Sequence, residues 1–123
     1  MASMVMQEVS KPEDQTQAAQ VFVTRLKANK PLGADVTTKY GAILAGLPPV
    51  LTHDSDYNTH KRTGLPPGPI STINSTSLSA AARPASTNWL YFVAGDNGTT
   101  YFSTNLEDHE RLTREHCHKL CNN

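Results

Sequence analysis

The chain has 123 residues, enough for one domain with one modest core. Its 11 basic and 11 acidic residues cancel to a formal net charge of zero, which argues against a nucleic-acid binder that works by neutralising phosphates. Hydrophobic residues make up 37% of the chain, which suits a loop-rich domain, and no stretch reads as a transmembrane helix or a signal peptide.

Ala2 to about Val9 is short and apolar, with Glu8 its one acid, and reads as the end of a helix. Ser10-Lys11-Pro12-Glu13 has the spacing of a capping box and opens a second helix from about Lys11 to Ala28. Ala18, Val21, Phe22, Arg25 and Leu26 recur at helical spacing and form its inward face. Lys30-Pro31-Leu32-Gly33 ends it. Ala34 to Ala45 is ambiguous, because Val36-Thr37-Thr38 favours a strand while Lys39 to Leu44 suits a helical turn or two. Leu47 to Gly68 reads as loop from its Pro, Gly, Asp and Asn content. Ser75 to Ala82 reads as a short helix stopped near Arg83 by Pro84. Leu90–Ala94 and Thr99–Ser103 read as paired strands, joined through Asn97-Gly98, a strong hairpin signal. Thr104-Asn105-Leu106-Glu107 is a second capping-box pattern, starting a helix to about Leu120 with Leu106, His109, Leu112 and His116 on its inner stripe. The expected fold is α+β: N-terminal helices, a loop-rich middle, a small sheet with a β-hairpin, and a C-terminal helix.

Gly64-Leu65-Pro66-Pro67-Gly68-Pro69-Ile70 is the most distinctive segment. Proline fixes φ and removes donors while glycine admits unusual backbone shapes, so this is a rigid shaped loop. Upstream, Tyr57-Asn58-Thr59 offers an aromatic ring beside amide and hydroxyl groups, a mixture suited to the apolar faces and polar edges of sugars. Several other features have plain structural readings. His53 and His60 read as solvated loop histidines, Lys61-Arg62 as a solvated pair or a carboxylate grip, and Trp89 and Tyr91 as core or strand-face aromatics. Arg25 either orients Glu8 or pairs with another acid. Cys117 and Cys121 read as unpaired terminal residues, since their spacing matches no common zinc pattern.

Taken in order, Ala2-Ser3-Met4-Val5-Met6-Gln7-Glu8, Tyr57-Asn58-Thr59, Gly64–Ile70, Arg83-Pro84-Ala85 and Leu90-Tyr91-Phe92-Val93-Ala94 resemble the catalytic domain of the YceG-like endolytic murein transglycosylases. The resemblance runs from about Ala2 to about His109. The chain is accordingly expected to be a single domain of that kind over residues 1–123, without the family's N-terminal membrane helix and LysM-like domain. It implies an enzyme that cuts peptidoglycan glycan strands between N-acetylmuramic acid and N-acetylglucosamine, leaving 1,6-anhydro-muramyl ends. It places the work in the cell envelope, on the extracytoplasmic side, with no cofactor, no metal and no nucleic acid. It also raises a peptidoglycan synthase as a candidate partner.

The family's catalytic glutamate maps onto Glu8. A general acid must hold its proton near neutral pH, and Met4, Val5, Met6 and Val9 would desolvate Glu8 while the end of its helix disfavours a further negative charge. The resemblance implies a binding set of Asp35, Thr37, Tyr40, Tyr57, Asn58, Thr59, Gly64, Leu65, Pro66 and Pro67. The chain departs from the family pattern at Thr24, Gly33, Val36 and Ile73, changes that bear on contacts to the glycan more than on the fold. The alternative expectation is a non-catalytic peptidoglycan- or partner-binding remnant of the family; a metal-binding module is a third.

Overall fold

The computed structural model describes residues 1–118. Helix α1 spans Ala2–Glu8, α2 Pro12–Lys27, α3 Asp35–Leu44 and α4 Ser75–Ala82; strands β1 (Tyr91–Ala94) and β2 (Thr100–Ser103) follow, then α5 (Leu106–His116). The architecture is α+β, with an irregular stretch between α3 and α4. No described helix is long and apolar enough to cross a membrane.

Local chemistry accounts for most element ends. Helix α2 starts with Lys11 as N-cap, Pro12 in its first turn, and Glu13 and Asp14 complementing the helix dipole. The expected Ser10 capping box is not formed, because no side chain caps this helix. Helix α4 has a capping box that sequence reading missed, with Asn74 and Ser77 bonding each other's backbone N–H groups. Helix α5 is capped by Asn105, whose side chain accepts from the Asp108 N–H at 2.8 Å, and not by a Thr104–Glu107 box.

The ambiguous stretch after Ala34 is helical throughout. The hydroxyls of Thr37 and Thr38 donate to the Ala34 carbonyl at 3.0 and 3.3 Å, so these two β-branched residues are satisfied at the first turn of a helix. The strands pair antiparallel with Phe92 opposite Phe102 and Val93 opposite Tyr101, as the hairpin signal implies.

The core is formed by Met4 and Val5 of α1, Ala19 and Phe22 of α2, Leu32, Ala34, and Ala80 of α4. Ile70, at the end of the Pro/Gly loop, and Phe92 of β1 pack against it. The Ile70 N–H donates to the Ser3 hydroxyl at 3.1 Å, which ties that loop to α1. Phe22 meets Phe92 edge to face at 5.5 Å, joining the helices to the hairpin. Helix α5 packs on both strands, but Leu106 is exposed and so leaves the expected inner stripe. Trp89 stacks on Phe102 and donates to Gln17 at 2.8 Å. Cys117 is buried and disulfide-bonded, not the unpaired thiol expected; Cys121 lies outside the described residues.

Phe22 is fully buried where α2, α1 and β1 meet. Phe22→Ala should lower stability by about 3–5 kcal/mol, read from urea unfolding.

Candidate functional site

Glu8 is the last residue of α1, and the Val36 N–H in the first turn of α3 lies close enough to its carboxylate to favour the charged form. The end of one helix therefore meets the beginning of another. What holds α3 there is a buried polar junction. The Thr59 hydroxyl accepts from the Ala34 N–H at 2.9 Å and lies 2.8 Å from the Thr37 hydroxyl. The Gly33 N–H donates to the Thr59 carbonyl at 3.0 Å. Asn58 shapes the same loop: its amide donates to the His53 carbonyl at 3.0 Å and accepts from the His60 N–H at 3.0 Å. Gly41 lets the loop come this close, since a Cβ there would lie 2.0 Å from the Ser55 hydroxyl.

A cleft of about 450 Å³ opens beside this junction. Glu8, Asp35, Lys39 and His60 line it, and so do Arg25 from α2, Tyr91 from β1 and His109 from α5. Its size is that of a small-molecule site. His60 Nε2 lies 2.8 Å from the Asp35 carboxylate. The Arg25 guanidinium sits over the Tyr91 ring at 4.7 Å from its centroid, and Tyr91 stacks on His109 at 5.1 Å.

The structure thus brings together only part of the expected set. Glu8 and Asp35 share the cleft. Thr37, Asn58 and Thr59 are fully buried, with their polar atoms bonded inside the protein, and do not line it. Tyr40 and Tyr57 are half-buried and meet edge to face at 5.0 Å, also outside its lining. Gly64, Leu65, Pro66 and Pro67 do not line it either, and Leu65 is exposed. Of the segment from Tyr57 to Ile70, the cleft receives His60 alone, which sequence reading left as a solvated loop histidine. Arg25, expected to orient Glu8 or pair with an acid, Tyr91, expected as a core or strand-face aromatic, and His109, expected on the inner stripe of α5, line it as well. Among the described residues Arg25 pairs with no acid; it donates to the Leu90 and Pro31 carbonyls, both at 2.9 Å.

The electrostatics of Glu8 follow from this setting. Burial pushes its pKa up from 4.5 to about 7, and the nearby Asp35 carboxylate pushes in the same direction. The Val36 N–H, Lys39 and His60 act against the rise without cancelling it. His109 is held below its usual pKa, first by burial and then by Arg25, against Glu110. Its Nδ1 is buried without a hydrogen-bond partner among the described residues.

The chain resembles known proteins over nearly its whole length. The YceG-like family model matches residues 1–115. The endolytic murein transglycosylase of Bacillus subtilis is 39% identical over 119 residues, covering 94% of this chain and 33% of the relative. That of Streptococcus pneumoniae is 32% identical over 131 residues, covering 99% of this chain and 24% of the relative. The chain thus spans a third or less of these curated relatives. A crystal structure of a YceG-like protein from Listeria monocytogenes superposes with a TM-score of 0.82 at 38% identity, over 91% of this chain and 38% of that one.

The raised pKa of Glu8 has a cost in stability. Between pH 4.5 and about 7 the folded chain keeps a proton on Glu8 that the unfolded chain has released, so its contribution to stability falls as pH rises through that window. A shift of this size corresponds to about 3 kcal/mol. Glu8→Gln has no charge to desolvate. It should match the parent chain in stability near pH 4 and exceed it by up to ~3 kcal/mol at pH 8, in urea unfolding across the range. A difference that stays constant with pH would contradict the burial of this carboxyl.

Proposed function

The chain belongs to the YceG-like family, and from that membership together with the Glu8 cleft we propose that it is the catalytic domain of an endolytic murein lytic transglycosylase. The observation that carries the reading is Glu8 itself. It is a carboxyl in a cleft, partly reachable from solvent, with a pKa near 7. Such a group can give up a proton and take one back at neutral pH.

The reaction needs one such residue. Glu8 protonates the oxygen that leaves the muramyl anomeric carbon, and the glycosidic C–O bond breaks. The resulting carboxylate then takes the proton of the muramyl C6 hydroxyl as that oxygen bonds to the same anomeric carbon. The proton count closes, no water is consumed, and a 1,6-anhydro end results. A second carboxylate acting as nucleophile or base is not required, although the oxocarbenium-like transition state is.

The other expected residues divide by place. Asp35 faces the cleft and would contact the glycan, with His60 holding its carboxylate. Thr37, Asn58 and Thr59 would act from beneath, fixing the start of α3 against Glu8. Tyr40, Tyr57 and the Gly64–Pro67 loop would shape the surroundings and reach only longer strands. Peptidoglycan strands are then the substrate, the extracytoplasmic cell envelope the site of action, and a peptidoglycan synthase the class of partner this activity implies.

Incubation of the chain with purified peptidoglycan, followed by mass spectrometry, should give internal cuts ending in 1,6-anhydro-muramyl groups. Glu8→Gln should lower the rate by about 10²- to 10⁴-fold with the fold retained. Undiminished cutting by Glu8→Gln would remove Glu8 from the chemistry. Strand binding without cutting by the parent chain would favour the non-catalytic remnant.

A further inference from the structure

We propose that Arg25 forms a carboxylate-binding subsite in the cleft, taking an acid group carried by the muramyl residue that is cut. The proposal rests on reading the cleft as a glycan-strand site.

Arg25 is fixed and yet uncompensated. Its Nε–H donates to the Leu90 carbonyl and one Nη1–H to the Pro31 carbonyl, both at 2.9 Å. Its guanidinium carbon sits over the Tyr91 ring, which stacks in turn on His109. These contacts leave little freedom to the side chain, and they use only part of its five donors. No carboxylate among the described residues lies within ion-pair distance of it. The acid of the cleft that is already engaged, Asp35, is bonded to His60.

The approach to the guanidinium is also open. Gly33 lies beside it, and a Cβ on Gly33 would stand 3.8 Å from Nη1 and 3.7 Å from His60 Nδ1. Gly33 adopts φ of +64°, a left-handed conformation that favours glycine, and it carries no side chain over this part of the cleft. Lys39 adds a second positive charge to the lining. A half-buried cation with spare donors, in the same cleft as the acid–base residue, suits a planar anion, which a guanidinium fork binds through two parallel hydrogen bonds.

Murein offers that anion at the right sugar. N-acetylmuramic acid differs from N-acetylglucosamine by a lactyl ether that ends in a carboxyl group. The group is free in a strand stripped of its peptides and amidated in a peptide-bearing strand, where the stem peptide supplies carboxylates of its own. Both sources present the same chemistry, and only a strand containing muramyl residues presents either. Arg25 would thus help Glu8 act on the muramyl side of the linkage.

The test measures binding in the non-cutting Glu8→Gln chain by calorimetry. The probes are a neutral N-acetylglucosamine oligomer, a peptide-free murein fragment, the same fragment with its lactyl acid methyl-esterified, and a peptide-bearing fragment. The peptide-free or the peptide-bearing fragment should bind roughly tenfold or more tightly than the neutral oligomer. Whichever of the two does so identifies the lactyl or the stem carboxylate as the source, and in the lactyl case esterification should abolish the preference. Adding Arg25→Gln should remove the preference while leaving the neutral oligomer within about twofold, and Arg25→Lys should restore only part of it. An equal loss for neutral and acidic probes would overturn the proposal by giving Arg25 a purely structural role. The esterification comparison needs no change at Arg25, so it stands even if the arginine variants fold poorly. Binding of all probes with equal affinity overturns the Arg25 assignment alone; binding of none overturns it together with the proposed function.

Discussion

The Thr59 hydroxyl accepts from the Ala34 N–H at 2.9 Å and lies 2.8 Å from the Thr37 hydroxyl, in a place without solvent. This junction sets the start of α3, and with it the position of the Val36 N–H, Asp35 and Lys39 around Glu8. A buried hydroxyl left without partners costs about 1–3 kcal/mol, so the arrangement tolerates little slippage. Asn58 stitches the loop on one side of Thr59 and carries the His60 N–H on the other. The cleft is therefore shaped by polar groups that do not themselves face it.

Glu8 stands between two helix ends that act on it in opposite senses. The C-terminal end of α1 disfavours a negative charge, while the first turn of α3 offers a free N–H and a favourable dipole. Lys39 and His60 add to the favourable side, and Asp35 to the other. Burial is the largest of these influences, and it decides that the carboxyl retains a proton near pH 7.

Local chemistry made much of the fold readable in the sequence. Asn97-Gly98 between alternating residues marked the hairpin, and the bounds of α4 followed from the Ser/Ala run before Pro84. The desolvation of Glu8 could be foreseen because its apolar neighbours adjoin it in sequence. The roles of Thr37, Asn58 and Thr59 could not. Polar residues in a loop suit a binding surface, and only the tertiary packing that buries them shows that their hydrogen bonds are spent inside. The region around Thr37 and Thr38 was ambiguous for a related reason, since β-branched residues favour a strand until an unpaired carbonyl such as that of Ala34 rewards a helix start. Arg25, His60, Tyr91 and His109 come from three elements and a loop, and no spacing in the sequence announces that they meet. The recurrence of Arg25 on the inward face of α2 was the one available sign, and it pointed to packing as readily as to a site.

The central claim is that the cleft keeps Glu8 protonated at neutral pH while leaving it reachable. Carbon-13 NMR of the side-chain carboxyl, followed from pH 3 to 9 and assigned through Glu8→Gln, measures this directly. The account predicts a Glu8 midpoint of about 7. A Glu8 midpoint near its ordinary value of 4.5 would mean that the carboxyl is ionised and solvated in the cleft, and would contradict the account.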